Sequence, residues 1–412
     1  MENRVRARRG LSIWIATFAA AALAGAASAA ALQCELPLLP GQPFTVGWPG
    51  SLDLDAAALK EAVDYASAHN SYSVRVYRHN CLAAKSTLDQ LTENVPNNVW
   101  STTKGVISML VGRAEKLGKL SLDDPIGKYL PQFPVDPAHG AITIRQLLTQ
   151  SSGLHFVWTP ELAQVPDDEV QYTLDLPFDY PRGTHFEYGQ TTITLLARVV
   201  QEAVGQDLQD FAHEQLFASI GIERNWIWMR DRAGNTRGWA DLYLAPADLA
   251  RLGHVMLRQG RWRDVQLLRS GYVKSASTPS APNPYYGFLY WLNASDHGYT
   301  VAFPGARAIE NRRMFESAPP DLYAFVGFRD QLIFVIPSLD MVVVRTGEPG
   351  NTQGNEQQLL TADSGEWHHE FFRKLMKSVK DVRYTDPGPY DWQDGSGLVI
   401  DIDHFLWVPP LP

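Results

Sequence analysis

Ser101 and Lys104 are the residues whose types and spacing best suit nucleophilic catalysis, and of the ten lysines Lys104 alone has a serine three residues before it. Side chains at that spacing share one face of a helix. At a helix N-terminus, the dipole and partial burial both lower the pKa of a lysine, so a neutral amine can accept the serine proton. A serine activated in this way can form an acyl-enzyme. The alternative is an ordinary N-cap serine beside a solvated lysine.

Tyr188 and Gln190 form a second candidate element, in a loop just before a helix predicted to start near Thr191. A tyrosine at this position could hydrogen-bond the serine and relay protons, provided that a neighbouring cation lowers the pKa of its hydroxyl. Gln190 could hold either a substrate carbonyl or the lysine. The alternative is a core tyrosine followed by a polar cap. The sequence contains 16 tyrosines, and a single tyrosine taken in isolation is more often a core residue than a catalytic one.

Other common catalytic patterns are absent from the sequence. It contains no Gly-x-Ser-x-Gly, no His-Glu-x-x-His and no Gly-x-x-x-x-Gly-Lys. His368 and His369 are adjacent in a predicted helix and lack metal-ligand spacing, and His155 and His185 are more typical of loops. We therefore expect neither a metal nor a cofactor.

The two candidate elements belong to a longer series of motifs that resembles the serine β-lactamase-related superfamily. This superfamily includes class C β-lactamases, DD-peptidases, family VIII esterases and 6-aminohexanoate-dimer hydrolases. The resemblance covers about residues 50–385 and is greatest to the aminohexanoate-dimer hydrolase and esterase branch. The further motifs are Leu-Leu-Thr-Gln-Ser-Ser-Gly-Leu at 147–154, Pro-x-Gly at 181–183, Ala-Asp-Leu-Ala-Arg-Leu-Gly at 247–253, Tyr-Gly-x-x-Tyr-Trp at 286–291 and Pro-x-x-Asp-x-Val-Val-Val-Arg at 337–345.

The resemblance implies a serine hydrolase that cleaves an ester or amide through an acyl-enzyme. Ser101 would be the nucleophile and Lys104 its base. Tyr188 would protonate the leaving group and then help to activate the deacylating water. One alternative is a β-lactamase or DD-peptidase acting on β-lactams or peptidoglycan. Another, from a different class, is a non-catalytic peptide- or peptidoglycan-binding protein on the same scaffold.

A third family motif, Lys-Thr-Gly or His-x-Gly on a strand lining the site, corresponds to residues 325–327. Gly327 would allow this strand to approach the serine helix closely. The backbone N–H groups of Ser101 and Phe328 would then form the oxyanion hole. Two departures concern substrate binding: Phe325 replaces the Lys or His that binds a substrate carboxylate, and Gln190 replaces the more usual Asn. The first favours esters or amides that lack that anion.

The spacing of apolar residues indicates an α+β fold, and the resemblance implies that this fold is of the β-lactamase/transpeptidase type. Both ends of the chain contribute to one antiparallel sheet, helices flank it, and a mostly helical insertion lies between. Helices are predicted at 51–68, 105–117, 193–204, 208–220, 247–258 and 366–379, a hairpin at 73–84, and strands at 286–292, 322–328, 332–336 and 341–345.

The N-terminal residues 1–29 have the pattern of a secretory signal peptide. Arg4, Arg6, Arg8 and Arg9 precede an apolar run that ends in Ala27-Ser28-Ala29. An uncleaved membrane anchor is the alternative, because the apolar run is long enough to span a bilayer. We therefore expect an exported protein, periplasmic or secreted. After the signal peptide we expect an N-terminal arm at 30–50, the hydrolase domain at 51–385 and a C-terminal tail at 386–412.

Cys34 and Cys81 are the two cysteines of the sequence. In an oxidising compartment they would form one disulfide between the arm and the sheet, and two free thiols are the alternative.

The composition is that of a folded protein, and the resemblance implies a small-molecule ester or amide as its substrate. Hydrophobic residues make up 45% of the chain, aromatic residues 11%, and the formal net charge is −9. A net negative charge argues against nucleic acid or an anionic membrane surface as the main partner. The sequence does not indicate an oligomeric state.

Overall fold

The computed structural model describes residues 32–133, 135–156, 161, 165–302, 306–348, 365–391 and 397–400. The predicted signal peptide and most of the predicted tail lie outside these residues. The α-helices are α1 (Ala56–Ala68), α2 (Asp89–Thr92), α3 (Thr102–Lys116), α4 (Pro137–Gly140), α5 (Ile144–Leu148), α6 (Glu169–Leu174), α7 (Thr191–Val204), α8 (Leu208–Ala212), α9 (Pro246–Leu257), α10 (Ser270–Ala276) and α11 (Gly365–Ser378). Short 3₁₀ segments occur at Pro49–Leu52, Ile126–Lys128, Ala218–Ile220 and Pro337–Leu339, and His213–Phe217 is π-helical.

The strands form one main antiparallel sheet and several small ones. The strands are β1 (Ser71–Arg78), β2 (Cys81–Lys85), β3 (Asn97–Asn98), β4 (Ile227–Trp228), β5 (Leu242–Leu244), β6 (Arg261–Trp262), β7 (Val265–Gln266), β8 (Trp291–Leu292), β9 (Gly298–Ala302), β10 (Ala306–Glu310), β11 (Tyr323–Gly327), β12 (Gln331–Ile336), β13 (Met341–Gly347) and β14 (Gly397–Ile400). The main sheet has six strands in the order β2-β1-β13-β12-β11-β8, so strands from both ends of the chain meet at the β1–β13 pair. The small sheets have the orders β14-β10-β9, β3-β5-β4 and β6-β7.

Helices cover both faces of the main sheet. Successive residues of a strand point to opposite faces, and β13 shows this directly. Val342 and Val344 belong to the core formed with α3 and α9, whereas Val343 belongs to the core formed with α1 and α11. A strand buried on both faces is a continuous apolar run, which explains why residues 341–344 contain no polar side chain.

This architecture confirms the predicted α+β class, the sheet built from both ends of the chain and the mostly helical insertion. The segment 286–292 is the exception, because only Trp291 and Leu292 form a strand. The preceding residues turn instead: Leu289 has a φ of +65°, and Gly287 N donates to Tyr290 O. Tyr286 and Tyr290 are fully buried, so their apolar pattern reflects core packing and not a strand.

A disulfide joins Cys34 to Cys81, with the two Cα atoms 5.2 Å apart, and confirms the predicted pairing. The arm makes further contacts at the turn between β1 and β2. Cys34 N donates to His79 O, and the Asn80 side chain donates to Cys34 O. The bond therefore fixes the N-terminal arm at the sheet edge.

Reduction of this disulfide is expected to lower the free energy of unfolding by about 2–4 kcal/mol, because it removes a cross-link that closes a long loop. Urea unfolding with and without a thiol reductant measures this. A variant with both Cys34→Ala and Cys81→Ala is the control, since it has no disulfide and its midpoint must not respond to the reductant. An unchanged wild-type midpoint in reductant would contradict the prediction.

Candidate active site

Ser101 lies at the N-terminus of α3, where it remains partly exposed although the first turn of the helix is buried. The backbone immediately before Ser101 is held in a fixed conformation. Trp100 has a φ of +48°, and its backbone N–H donates to Asn98 Oδ1 at 2.9 Å. The Ser101 hydroxyl makes no cap hydrogen bond to the helix. The alternative of a capping serine beside a solvated lysine is therefore wrong, and the hydroxyl is available for other partners.

Lys104 is buried, with 1% of its surface exposed, and its amine makes three hydrogen bonds. Lys104 Nζ lies 2.9 Å from Ser101 Oγ, 2.6 Å from Gln190 Oε1 and 3.2 Å from the carbonyl oxygen of Trp239. It also lies 4.6 Å from the centre of the Tyr188 ring. The amine is thus held on several sides and directed at the serine.

Burial lowers the pKa of Lys104 well below its usual value, because the charged form is poorly solvated there. The Glu161 and Glu169 carboxylates oppose this shift, and burial remains the larger effect. The sequence predicted the direction and attributed it to the helix dipole together with partial burial. A neutral amine 2.9 Å from a serine hydroxyl is able to accept its proton.

The loop that carries Tyr188 is fixed by Gln150, a residue of the 147–154 motif. The Gln150 amide accepts from Gly189 N and donates to Gly189 O, each at 3.1 Å, and its backbone carbonyl accepts from Glu187 N. Gln150 itself has a φ of +53°. These contacts show how one family motif positions another.

Tyr188 is 9% exposed and packs among Trp291, Tyr286 and Phe186. Burial raises its pKa to about 12, although its interactions with the side chains of Ser101 and Trp291 act in the opposite direction. The sequence made the relay role conditional on a neighbouring cation that lowers this pKa, but burial is the largest influence on Tyr188 and raises it. Tyr188 therefore remains a protonated phenol beside Ser101.

Gln190 is 1% exposed and does not face solvent. Its Oε1 accepts from Lys104, and its Nε2 donates to Tyr188 O at 3.1 Å. Of the two predicted roles, the structure supports the one in which Gln190 holds the lysine. Gln190 thereby links Lys104 to the Tyr188 loop.

Gly327 brings the end of β11 against the start of α3. A Cβ added at Gly327 would lie 2.3 Å from Val99 O and 3.1 Å from Thr102 N, so no side chain fits there. Phe328 follows immediately. In the described part of the chain, neither the Ser101 N–H nor the Phe328 N–H donates to a protein acceptor. These are the two donors that the resemblance assigns to an oxyanion hole.

The position of Phe325 differs from the predicted substrate contact. Its ring is 1% exposed and lies against Gly105 of α3, where an added Cβ would approach it to 2.3 Å. It also packs edge-on against Tyr290, with the ring centres 4.8 Å apart. The ring therefore fills the space between β11 and α3, and the predicted contact between this side chain and substrate is corrected accordingly.

Three residues near the amine were not predicted from the sequence. The Trp239 carbonyl holds Lys104, and Glu169 fixes Trp239 by accepting from its indole N–H at 3.0 Å. Glu161 is 1% exposed, and its Oε2 accepts from Gln190 N at 2.7 Å and from Thr191 N at 3.1 Å. Glu161 thus caps α7 from outside the helix, and no local pattern in the sequence indicated this.

No cluster of three or more His, Cys, Asp or Glu side chains suited to a metal ion occurs within the described ranges. No helix of that part of the chain is long and apolar enough to cross a bilayer.

A family model described as Beta-lactamase matches residues 61–363. The chain belongs to this family. The resemblance inferred from the motifs is therefore confirmed, and the chain is a member of a hydrolase family built on the β-lactamase fold.

Comparisons with individual proteins agree with this assignment. N-acetylmuramyl-L-alanine amidase of Bacillus subtilis (strain 168) is 25% identical over 234 residues, which span 43% of this chain and 53% of that protein. The match thus extends over about half the length of this curated relative. A Bacteroides dorei DSM 17855 protein assigned as a β-lactamase superposes with a TM-score of 0.62 at 18% identity, covering 79% of this chain and 99% of that one. A Bacillus anthracis protein assigned as a 6-aminohexanoate-dimer hydrolase superposes with a TM-score of 0.59 at 16% identity, covering 84% and 90%. At such identities the two superpositions show the fold alone.

Gly327→Ala is expected to lower kcat/KM by about 10²–10³ without unfolding the protein, because the backbone clash moves Phe328 N–H away from Ser101. Hydrolysis of p-nitrophenyl esters and thermal unfolding measure the two effects. Gly271→Ala is the matched control, since an added Cβ there meets nothing within 4 Å. A folded Gly327→Ala variant as active as Gly271→Ala would contradict the prediction.

In the pH profile of kcat/KM, Glu161→Gln is expected to move the acidic limb, where activity rises with pH, to lower pH. Burial raises the pKa of Glu161 to about 7, and its carboxylate raises the pKa of Lys104. Removal of that charge therefore lets Lys104 lose its proton at lower pH, whereas Glu169 and Tyr188 remain beside the amine.

Asp55→Asn is the control for this variant, because Asp55 caps α1 through Ala57 N and Ala58 N in the same way. It removes a capping carboxylate but leaves the surroundings of Lys104 intact. An acid limb that stays in place, or moves upwards, in Glu161→Gln would rule out the electrostatic role of Glu161.

Proposed function

We propose that this protein is an exported serine hydrolase that cleaves an ester or amide bond of a small molecule through a covalent acyl-enzyme. The observation that carries the proposal is the buried amine of Lys104, 2.9 Å from the Ser101 hydroxyl. A buried lysine with a lowered pKa beside a nucleophile is typical of a functional site. Membership of a hydrolase family supports the same conclusion.

Acylation begins with attack of Ser101 Oγ on the substrate carbonyl carbon, while Lys104 takes the hydroxyl proton. The carbonyl oxygen becomes an oxyanion, which the N–H groups of Ser101 and Phe328 stabilise. The Gln190 amide oxygen and the Trp239 carbonyl, which already accept hydrogen bonds from Lys104, then stabilise the ammonium.

Collapse of this intermediate breaks the bond to the leaving group, and Tyr188 donates its phenolic proton to the departing atom. The Lys104 ammonium then returns a proton to Tyr188, so that both residues are neutral again. In deacylation a water attacks the acyl carbonyl and gives its proton to Lys104. The Ser101 oxygen leaves the acyl group and takes that proton from Lys104, which restores the starting state.

The neutral side chain of Phe325 supports the proposal that the substrates lack the carboxylate that β-lactams and peptidoglycan peptides carry. Its neutral ring occupies the place of the family's Lys or His, and it is packed against Gly105. No positive charge is therefore supplied from this residue. We accordingly favour neutral esters and amides over β-lactam substrates.

Export is proposed from the N-terminal pattern of residues 1–29. The Cys34–Cys81 disulfide supports it, because disulfides persist mainly in oxidising compartments.

Ser101→Ala is expected to abolish the hydrolysis of p-nitrophenyl esters and the formation of an acyl adduct. Lys104→Ala is expected to be nearly as inactive, because nucleophile and base act as a unit. Tyr188→Phe is expected to keep the fold and to lower turnover by about 10² or more. Ester hydrolysis and intact-mass spectrometry with esters, linear amides and β-lactams measure these effects.

Wild-type turnover no faster than that of Ser101→Ala across the panel would favour the non-catalytic binding protein. Efficient turnover of β-lactams alone would favour the β-lactamase or DD-peptidase alternative.

A further inference from the structure

Two aromatic side chains near the start of the nucleophile helix remain outside the core. Trp100 precedes Ser101 and is half-buried, whereas 53% of Phe328 is exposed. Their rings meet edge to face, with centres 5.4 Å apart. We call these two residues the Trp100–Phe328 pair.

Arg329 holds the pair from the solvent side. Its guanidinium lies 5.8 Å from the centre of each ring, a distance at which a cation and an aromatic ring attract. Glu348 forms an ion pair with Arg329 at 3.1 Å and accepts a hydrogen bond from the Tyr72 hydroxyl at 2.7 Å. The charge of Arg329 is therefore balanced locally, and the guanidinium supports the rings.

The backbone is in an unfavourable conformation at Trp100 and at Arg329, the residue that follows Phe328. Trp100 has a φ of +48° and Arg329 a φ of +61°, in the left-handed region that bulky residues avoid. Strain of this kind persists where the surrounding structure enforces it, often at functional sites. At Trp100 the Asn98 side chain enforces it, and Asn98 is held in turn by Asp241.

The pair is also adjacent to the atoms that would bind the reacting carbonyl. Ser101 N–H and Phe328 N–H belong to the peptide units next to the two rings, and Gly327 brings these units together. A carbonyl bound between the two donors therefore places its nearest substituent beside aromatic surface.

We propose that the Trp100–Phe328 pair binds a flat, uncharged apolar group close to the scissile carbonyl, so that the preferred substrates are aryl esters or amides. The inference rests on the proposed function and specifies its substrate class. The apolar group could belong to the acyl part or to the leaving group, and two substrate series distinguish these sources.

The first series varies the acyl group at a constant p-nitrophenol leaving group, with acetate, cyclohexanecarboxylate and benzoate esters. The second keeps the acyl group as acetate and varies the leaving group from ethanol to phenol, with proton release as the signal. A 4-carboxyphenyl acetate added to the second series tests whether Arg329 instead selects an anion.

Phe328→Ala and Trp100→Ala are each expected to lower the preference for the aryl substrate over the small one by about tenfold in one of the two series, mainly through KM. Phe328→Leu is expected to retain part of the preference, since the backbone N–H and an apolar side chain remain. Trp48→Ala is the matched control, because Trp48 is 71% exposed in the N-terminal arm and is expected to leave the preference unchanged. Thermal unfolding identifies any variant that fails to fold, and Phe328→Leu then replaces it.

An aryl preference that neither Phe328→Ala nor Trp100→Ala reduces would overturn the inference, as would a preference for the carboxylated ester. In either case the proposed function stands, provided that wild type hydrolyses the small ester and Ser101→Ala does not. Failure of wild type on every ester would instead refute the proposed function itself.

Discussion

The burial of one amine is the constraint on which the rest of this site depends. Lys104 can take a proton from Ser101 only if it is uncharged, and removal from solvent favours that form by lowering the pKa of the amine. Burial of an amine requires partners for its N–H groups, and Gln190 and the Trp239 carbonyl supply them. The loops that carry these two acceptors are thereby tied to the nucleophile helix, although they are distant in sequence.

Close packing of β11 on α3 is the second requirement, and two glycines make it possible. Gly105 leaves room for the Phe325 ring, and Gly327 leaves room for the Val99 carbonyl. The same contact that completes the core therefore brings Phe328 N–H next to Ser101. Core packing and site geometry are not separable here, because a methyl group added at either glycine would move β11 away from α3 and change both.

The sequence was sufficient for features that depend on local spacing or on a series of motifs. The position of Ser101 and Lys104 on one helix, the sheet built from both ends of the chain and the disulfide were all predictable. The roles of Trp239 and Glu161 were not, because they act through a backbone carbonyl and a long-range helix cap that leave no local pattern. The buried direction of the Phe325 ring and the raised pKa of Tyr188 depend on packing across several elements, which spacing does not encode.

The distribution of charge indicates how the proposed acylation step can proceed in a dry interior. Burial favours the uncharged form of both groups: it lowers the pKa of Lys104 well below its usual value and raises the pKa of Glu161 to about 7. Transfer of the serine proton creates an ammonium on the inner side of α3, where the Glu161 and Glu169 carboxyls lie close enough to act on it. The oxyanion forms on the outer side, at the Ser101 and Phe328 N–H groups. Each new charge thus meets groups of opposite polarity already in place, so little reorganisation of the protein is needed as the charges develop.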